Sequence, residues 1–149
     1  MDLKKITSSV LVFIIKRLIE IVGFLISCIG ILLFVALISY SPTDPNFIFP
    51  ENTKIDNILG FQGSYASDLF FQSVGLISFL IPFTLIFTGI SVFKKKELFI
   101  IIENIFYIIP YSLLGSLFLS FFYKNSFSLY INGNGGFVGN YLNQSFFSK

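Results

Sequence analysis

The chain has 149 residues, 54% of them hydrophobic and 12% charged, with a mean hydropathy of +0.83 and a net charge of +2. Soluble domains carry about 25% charged residues, so apolar residues this dense exceed the needs of one water-soluble core and point to lipid as the solvent. The basic residues fall in short clusters that offer nucleic acid no continuous face. The lone Cys28 forms no internal disulfide, and the absence of histidine removes the commonest general base and metal ligand.

Residues 1–20 carry Lys4, Lys5, Lys16 and Arg17 against Asp2 and Glu20, with Ile6, Val10, Phe13, Ile14 and Leu18 at helical spacing. They predict a cytoplasmic amphipathic lead-in helix, either lying on the membrane surface or extending the first span. Lys16 and Glu20, four apart, would share a face. Residues 21–39 form the first transmembrane helix, uncharged from Ile21 to Ile38. A basic start before an apolar run also suits a secretion signal. Such signals have a shorter apolar core and a small-residue cleavage site, so this span is expected to stay in the mature protein.

The run stops at Ser39-Tyr40-Ser41-Pro42-Thr43-Asp44-Pro45. Residues 40–68 are expected to be a periplasmic loop, with Asp44, Glu51, Asp56 and Asp68 against Lys54. Pro42, Pro45 and Pro50 oppose helix in its first half, while Asp56 is placed to cap a turn leading to Gly60. Asp68 is placed to cap the helix that follows.

Residues 69–93 form the second transmembrane helix, with a kink expected at Pro82 and the freed carbonyl met by a hydroxyl such as Ser78. Residues 94–97, Lys94-Lys95-Lys96-Glu97, make a tight cytoplasmic turn, and residues 98–122 form the third span, broken by Pro110 near its middle. Glu103 enters this span. An intramembrane carboxylate is by default a candidate ion site, but Glu103 lies close enough to Lys96 to pair with the lysine cluster. Ser112, Gly115, Ser116 and Ser120 line one face, as do Thr84 and Thr88, and suit helix packing within the chain or between copies.

Cytoplasmic flanks hold the excess of Lys and Arg. Lys16 and Arg17 with Lys94, Lys95 and Lys96 therefore put the amino terminus and the lysine turn inside. Residues 123–136, where Lys124 stands alone, form a second periplasmic segment.

Gly60-Phe61-Gln62-Gly63-Ser64-Tyr65 is echoed by Gly136-Phe137-Val138-Gly139-Asn140-Tyr141, and Phe70-Phe71 by Phe146-Phe147. A recurrent turn of membrane proteins would explain a Gly-x-x-Gly pair. As a repeat, the second copy makes residues 137–149 the entry to a fourth helix, truncated at Lys149. The expected fold is all-α membrane, a polytopic helical bundle with three transmembrane helices and the start of a fourth.

No Gly-x-x-x-x-Gly-Lys-Ser/Thr occurs, and Asn132-Gly133-Asn134-Gly135-Gly136 has neither a basic residue to close on a phosphate nor a preceding strand. No catalytic, cofactor or metal constellation is expected. An enzyme working through the loop would depend on Asp44, Glu51 and Asp56, whose spacing fixes no geometry. A small channel or transporter subunit is the alternative, with Pro82 and Pro110 marking unwound helices. It would lack an ionisable residue at mid-membrane.

Ser39-Tyr40-Ser41-Pro42-Thr43-Asp44-Pro45, followed by Gly60, Gly63 and Asp68, then Pro82, the lysine turn, and Gly135, Gly136 and Gly139, resembles the amino-terminal membrane domain of FtsK/SpoIIIE-type DNA translocases. The resemblance runs from about Lys16 to Leu142. The chain departs from the family in lacking the rest of the fourth span, the linker, the ATPase with its P-loop and the DNA-orienting winged-helix domain.

The resemblance implies a septum-localising, oligomerising anchor in the bacterial inner membrane, serving cell division and chromosome segregation. Its partners would be the lipid bilayer, copies of itself as a homo-oligomer, and other division-septum membrane proteins. No cofactor and no motor activity are expected of this chain. DNA and ATP would be engaged only through the missing carboxy-terminal motor.

Overall fold

The computed structural model describes residues 3–45, 54–123 and 132–147, with side chains from residue 8 onward. Among these residues five α-helices are formed: α1 (Leu3–Ile38), α2 (Gly60–Val74), α3 (Leu80–Lys95), α4 (Phe99–Phe122) and α5 (Gly136–Phe147), with a 3-10 helix (Gly75–Phe79) joining α2 to α3. No strand occurs among the described residues. Ser8–Ile38, Gly60–Lys95 and Phe99–Phe122 are each long and apolar enough to cross a membrane, so the protein is an all-α membrane bundle. Asp2, Pro50, Glu51 and Lys124 lie outside the described residues.

The lead-in and the first span are one 36-residue helix. At about 1.5 Å per residue it is roughly 54 Å long, against about 30 Å of hydrocarbon. Residues 8–18 are exposed throughout. From Glu20 onward α1 lies along α3, and small residues let the two backbones approach. A Cβ added to Gly23 would sit 2.7 Å from the Gly89 carbonyl, and one added to Gly30 would sit 2.9 Å from the Pro82 carbonyl. Between them, the Ser27 hydroxyl lies 3.2 Å from the Gly23 carbonyl and 3.3 Å from the Ile86 carbonyl of α3.

The second span departs from expectation at its start and in its interior. Its helix starts at Gly60, inside the segment expected to be loop, and its irregular segment is Gly75–Phe79, not Pro82. Pro82 is the third residue of α3. In a first turn its missing N–H has no intrahelical partner to lose, so proline is tolerated there. The Ser78 hydroxyl, expected to meet a freed carbonyl, is buried without a hydrogen bond. Pro110 likewise does not divide its span, because α4 runs unbroken from Phe99 to Phe122.

Lys96 ends α3 in the left-handed conformation, φ 60°, its N–H bonded to the Val92 carbonyl at 2.8 Å. The chain reverses there into α4. Asn104 donates to the Thr88 hydroxyl at 2.9 Å, and Thr84 and Tyr111 share a hydroxyl bond at 3.1 Å. Polar side chains thus fasten α3 to α4 where no water competes.

Candidate functional site

The residues singled out in the sequence gather at three places. The first is a clasp between the end of α1 and the start of α2. The Ser39 hydroxyl bonds back to the Val35 carbonyl at 2.7 Å and accepts the Ile58 N–H at 3.2 Å. Asp44, 4% exposed, accepts the backbone N–H groups of Asp56 at 2.8 Å and Asn57 at 2.9 Å, one on each oxygen. Ser64 donates to the Pro45 carbonyl at 2.6 Å, and Tyr40 donates to Asp68 at 3.2 Å. Pro42 is exposed at the rim.

Two assignments change here. Asp56 contributes its N–H, while its carboxylate does not cap α2, which has no side-chain cap. Asp68 lies in the middle of α2, accepts from Gln72 one turn on and ties the helix to Tyr40. Sequence reasoning missed Asn57, which donates to the Ala36 carbonyl at 2.9 Å and accepts the Leu59 N–H at 3.1 Å. Its place three residues before a glycine-opened helix was the available signal. Gly63 is required because the Asn57 and Leu59 side chains fill the space where a Cβ would stand.

The Tyr40 phenol is pushed up to about 12, first by burial and then by the charge of Asp68. It stays a neutral donor at neutral pH. Its contribution to stability is whole below the ordinary tyrosine value of about 10 and is lost as pH rises through about 12. Tyr40→Phe should delete one late-titrating phenol from the alkaline phenolate absorbance curve. An unchanged curve would refute the Tyr40–Asp68 bond.

The second place is the break in span two. Helix ends leave carbonyls without partners, and here other elements supply them. Gly75 N–H bonds to the Phe71 carbonyl, Asn132 reaches the Gln72 carbonyl at 3.3 Å, and Ser116 of α4 donates to the Val74 carbonyl at 2.8 Å. Leu76 N–H bonds to the Asn134 carbonyl at 2.9 Å. Gly75 (φ 69°) and Gly136 (φ 64°) meet back to back: a Cβ on Gly136 would lie 2.5 Å from the Gly75 nitrogen.

The echo has a structural counterpart. Gly60 and Gly136 both have φ 64° and both open a helix, and each N–H bonds three residues back, to Asn57 and to Gly133. Ser112, Ser116 and Ser120 are buried, and Gly115 packs on Ile77. Ser120 donates to Asn140 at 2.8 Å, while Gly135 and Gly139 bring α5 onto the Ser116 carbonyl.

The third place is the lysine end. Lys96 Nζ lies 2.8 Å from Glu20, which also pairs with Arg17. Arg17, not Lys16, is therefore the partner of Glu20 on α1, and Glu20, not Glu103, is the partner of Lys96. Glu103 is exposed on α4. The ion pairs bring the basic flank of α1 and the Lys94–Lys96 turn to one end of the bundle, opposite the clasp. Among the described residues no group of His, Cys, Asp and Glu is placed to hold a metal.

Residues 15–148 match the family model for the 4TM region of DNA translocase FtsK/SpoIIIE. The chain belongs to this family. The FtsK/SpoIIIE match takes in all three places, from the Arg17–Glu20 pair to α5. Among individual proteins, the chain is similar to the DNA translocase FtsK of Rickettsia typhi, 35% identical over 63 residues, which is 42% of this chain and 8% of that protein. It is similar to the DNA translocase FtsK of Azospirillum brasilense, 34% over 71 residues, 46% of this chain and 11% of that protein. The DNA translocase FtsK of Rickettsia bellii is 32% identical over 72 residues, 48% of this chain and 10% of that protein. The matches thus span about a tenth of these relatives' length. No solved structure gives a significant match. With its three apolar segments, this FtsK 4TM region is a multi-pass membrane-anchoring domain of the inner membrane.

Proposed function

We propose that the chain anchors a DNA translocase in the inner membrane at the division septum and helps it oligomerise, with the amino terminus and the lysine turn in the cytoplasm and the clasp in the periplasm. The match of residues 15–148 to the FtsK/SpoIIIE 4TM region carries this proposal. In support, buried polar groups such as Asp44, Asn57, Ser116 and Ser120 bond across elements and hold the helices together, which is what an anchor needs. DNA and ATP are engaged by a motor outside this chain, and neither a cofactor nor motor activity belongs to it.

Supporting this orientation, Lys16, Arg17 and Lys94 to Lys96 gather at one end, and basic flanks tend to remain cytoplasmic. Single cysteines at Lys95 and at Thr43, in a Cys28→Ser background, are expected to react with an impermeant maleimide in opposite compartments. Labelling of Lys95 from the periplasm would overturn the topology. A fluorescent fusion of the chain is expected to concentrate at division sites, and uniform membrane fluorescence would refute septal localisation. A channel or transporter subunit remains the alternative, and Glu103→Gln separates the two: an anchor keeps its localisation, whereas a transporter loses its activity.

A further inference from the structure

At the lysine end, α1 and α3 enclose an open groove of about 260 Å³ lined by Arg17, Glu20, Ile21, Phe24 and Phe93. Its walls are apolar: Ile21, Phe24 and Phe93 are exposed large hydrophobics that no other helix covers. Its mouth is charged. The carboxylate of Glu20 is already matched within the protein by Arg17 and Lys96. Arg17 remains available, because its side chain is 56% exposed and its bond to Glu20 engages one terminal nitrogen of the fork. A guanidinium has five donors and suits a phosphate bidentately. The Phe13 ring, 5.0 Å from the guanidinium carbon, holds the fork in place.

Nearby charge favours an anion. Lys16 adjoins Arg17, and Lys94 and Lys95 follow Phe93 on the last turn of α3, so basic residues outnumber Glu20 and Glu97 at this end. We infer that the groove binds an anionic phospholipid of the adjoining leaflet, with its phosphate on Arg17 and an acyl chain along Ile21, Phe24 and Phe93. A free phosphate would leave the apolar walls unfilled, and a zwitterionic headgroup would bring its own cation against the lysines. A lipid meets both demands because its charge and its chain are joined at the depth where the groove changes from polar to apolar.

Native mass spectrometry of the purified full chain, with phosphatidylglycerol and phosphatidylcholine of matched acyl chains, tests this. The wild type is expected to retain phosphatidylglycerol preferentially, and Arg17→Gln to lower that retention about fivefold, the weight of one basic side chain at an anionic surface. Ile21→Trp fills the groove without touching the Arg17–Glu20–Lys96 contacts and is expected to lower retention as well. Lys54→Gln, near the clasp, is expected to change nothing. Equal retention of the two lipids, or equal loss from Arg17→Gln and Lys54→Gln, would overturn the site. Displacement of the lipid by millimolar inorganic phosphate would reassign the groove to a free anion.

Discussion

Replacing Gly89 by leucine is expected to separate α1 from α3 and to destabilise the bundle by at least about 3 kcal/mol, the upper range for overpacking a close contact. A Cβ at this position runs into the Ser27 hydroxyl and the Gly23 carbonyl, which belong to the facing helix, so no rotamer relieves the clash. Gly89→Ala already adds the offending atom and should cost about 1–3 kcal/mol. Phe87→Leu, two residues away on a side chain 65% exposed, should stay within about 0.5 kcal/mol. Reversible unfolding in mixed dodecylmaltoside and dodecyl sulfate micelles measures all three. Equal stability of Gly89→Leu and wild type would mean that α1 and α3 do not meet through this seam.

Loss of the Asp44 carboxylate is the second large effect expected. Asp44→Ala removes both acceptors of the Asp56 and Asn57 N–H groups and should cost about 3 kcal/mol, since bonds to a charged acceptor contribute about 1.5–3 kcal/mol each. Asp44→Asn keeps one acceptor oxygen and should cost about half as much. Hydrogen exchange at these two amides is the direct readout, because both should lose protection before the transmembrane helices do. Unchanged protection in Asp44→Ala would remove Asp44 from the clasp. Asn57 offers a partial check: its bond to the Ala36 carbonyl should weaken along with the others.

The clasp shows how far a sequence pattern carries. Ser39 to Pro45 announced a helix end because two prolines and an aspartate stop a helix, and α1 does end at Ile38. The pattern did not say that Asp44 would hold amides twelve and thirteen residues away. Those bonds depend on α2 starting at Gly60, and the loop composition that hid this start is the composition of the clasp itself. The small-residue seam was legible and passed over: Gly23, Ser27 and Gly30 recur at helical spacing, with Gly89 facing the first two.

By itself the sequence determined that the chain lies in lipid and which segments carry the basic residues, because these depend on solvent and charge, which are summed along the chain. Only the tertiary structure decided where the second span breaks. Pro82 carried the local signal, yet a proline near the start of a helix loses no bond there. The break lies at Gly75, where Asn132, Asn134 and Ser116 arrive from other segments to meet the carbonyls and N–H that the helix leaves open. In a bilayer such groups stay paired, and a helix interrupts itself where distant neighbours supply the partners.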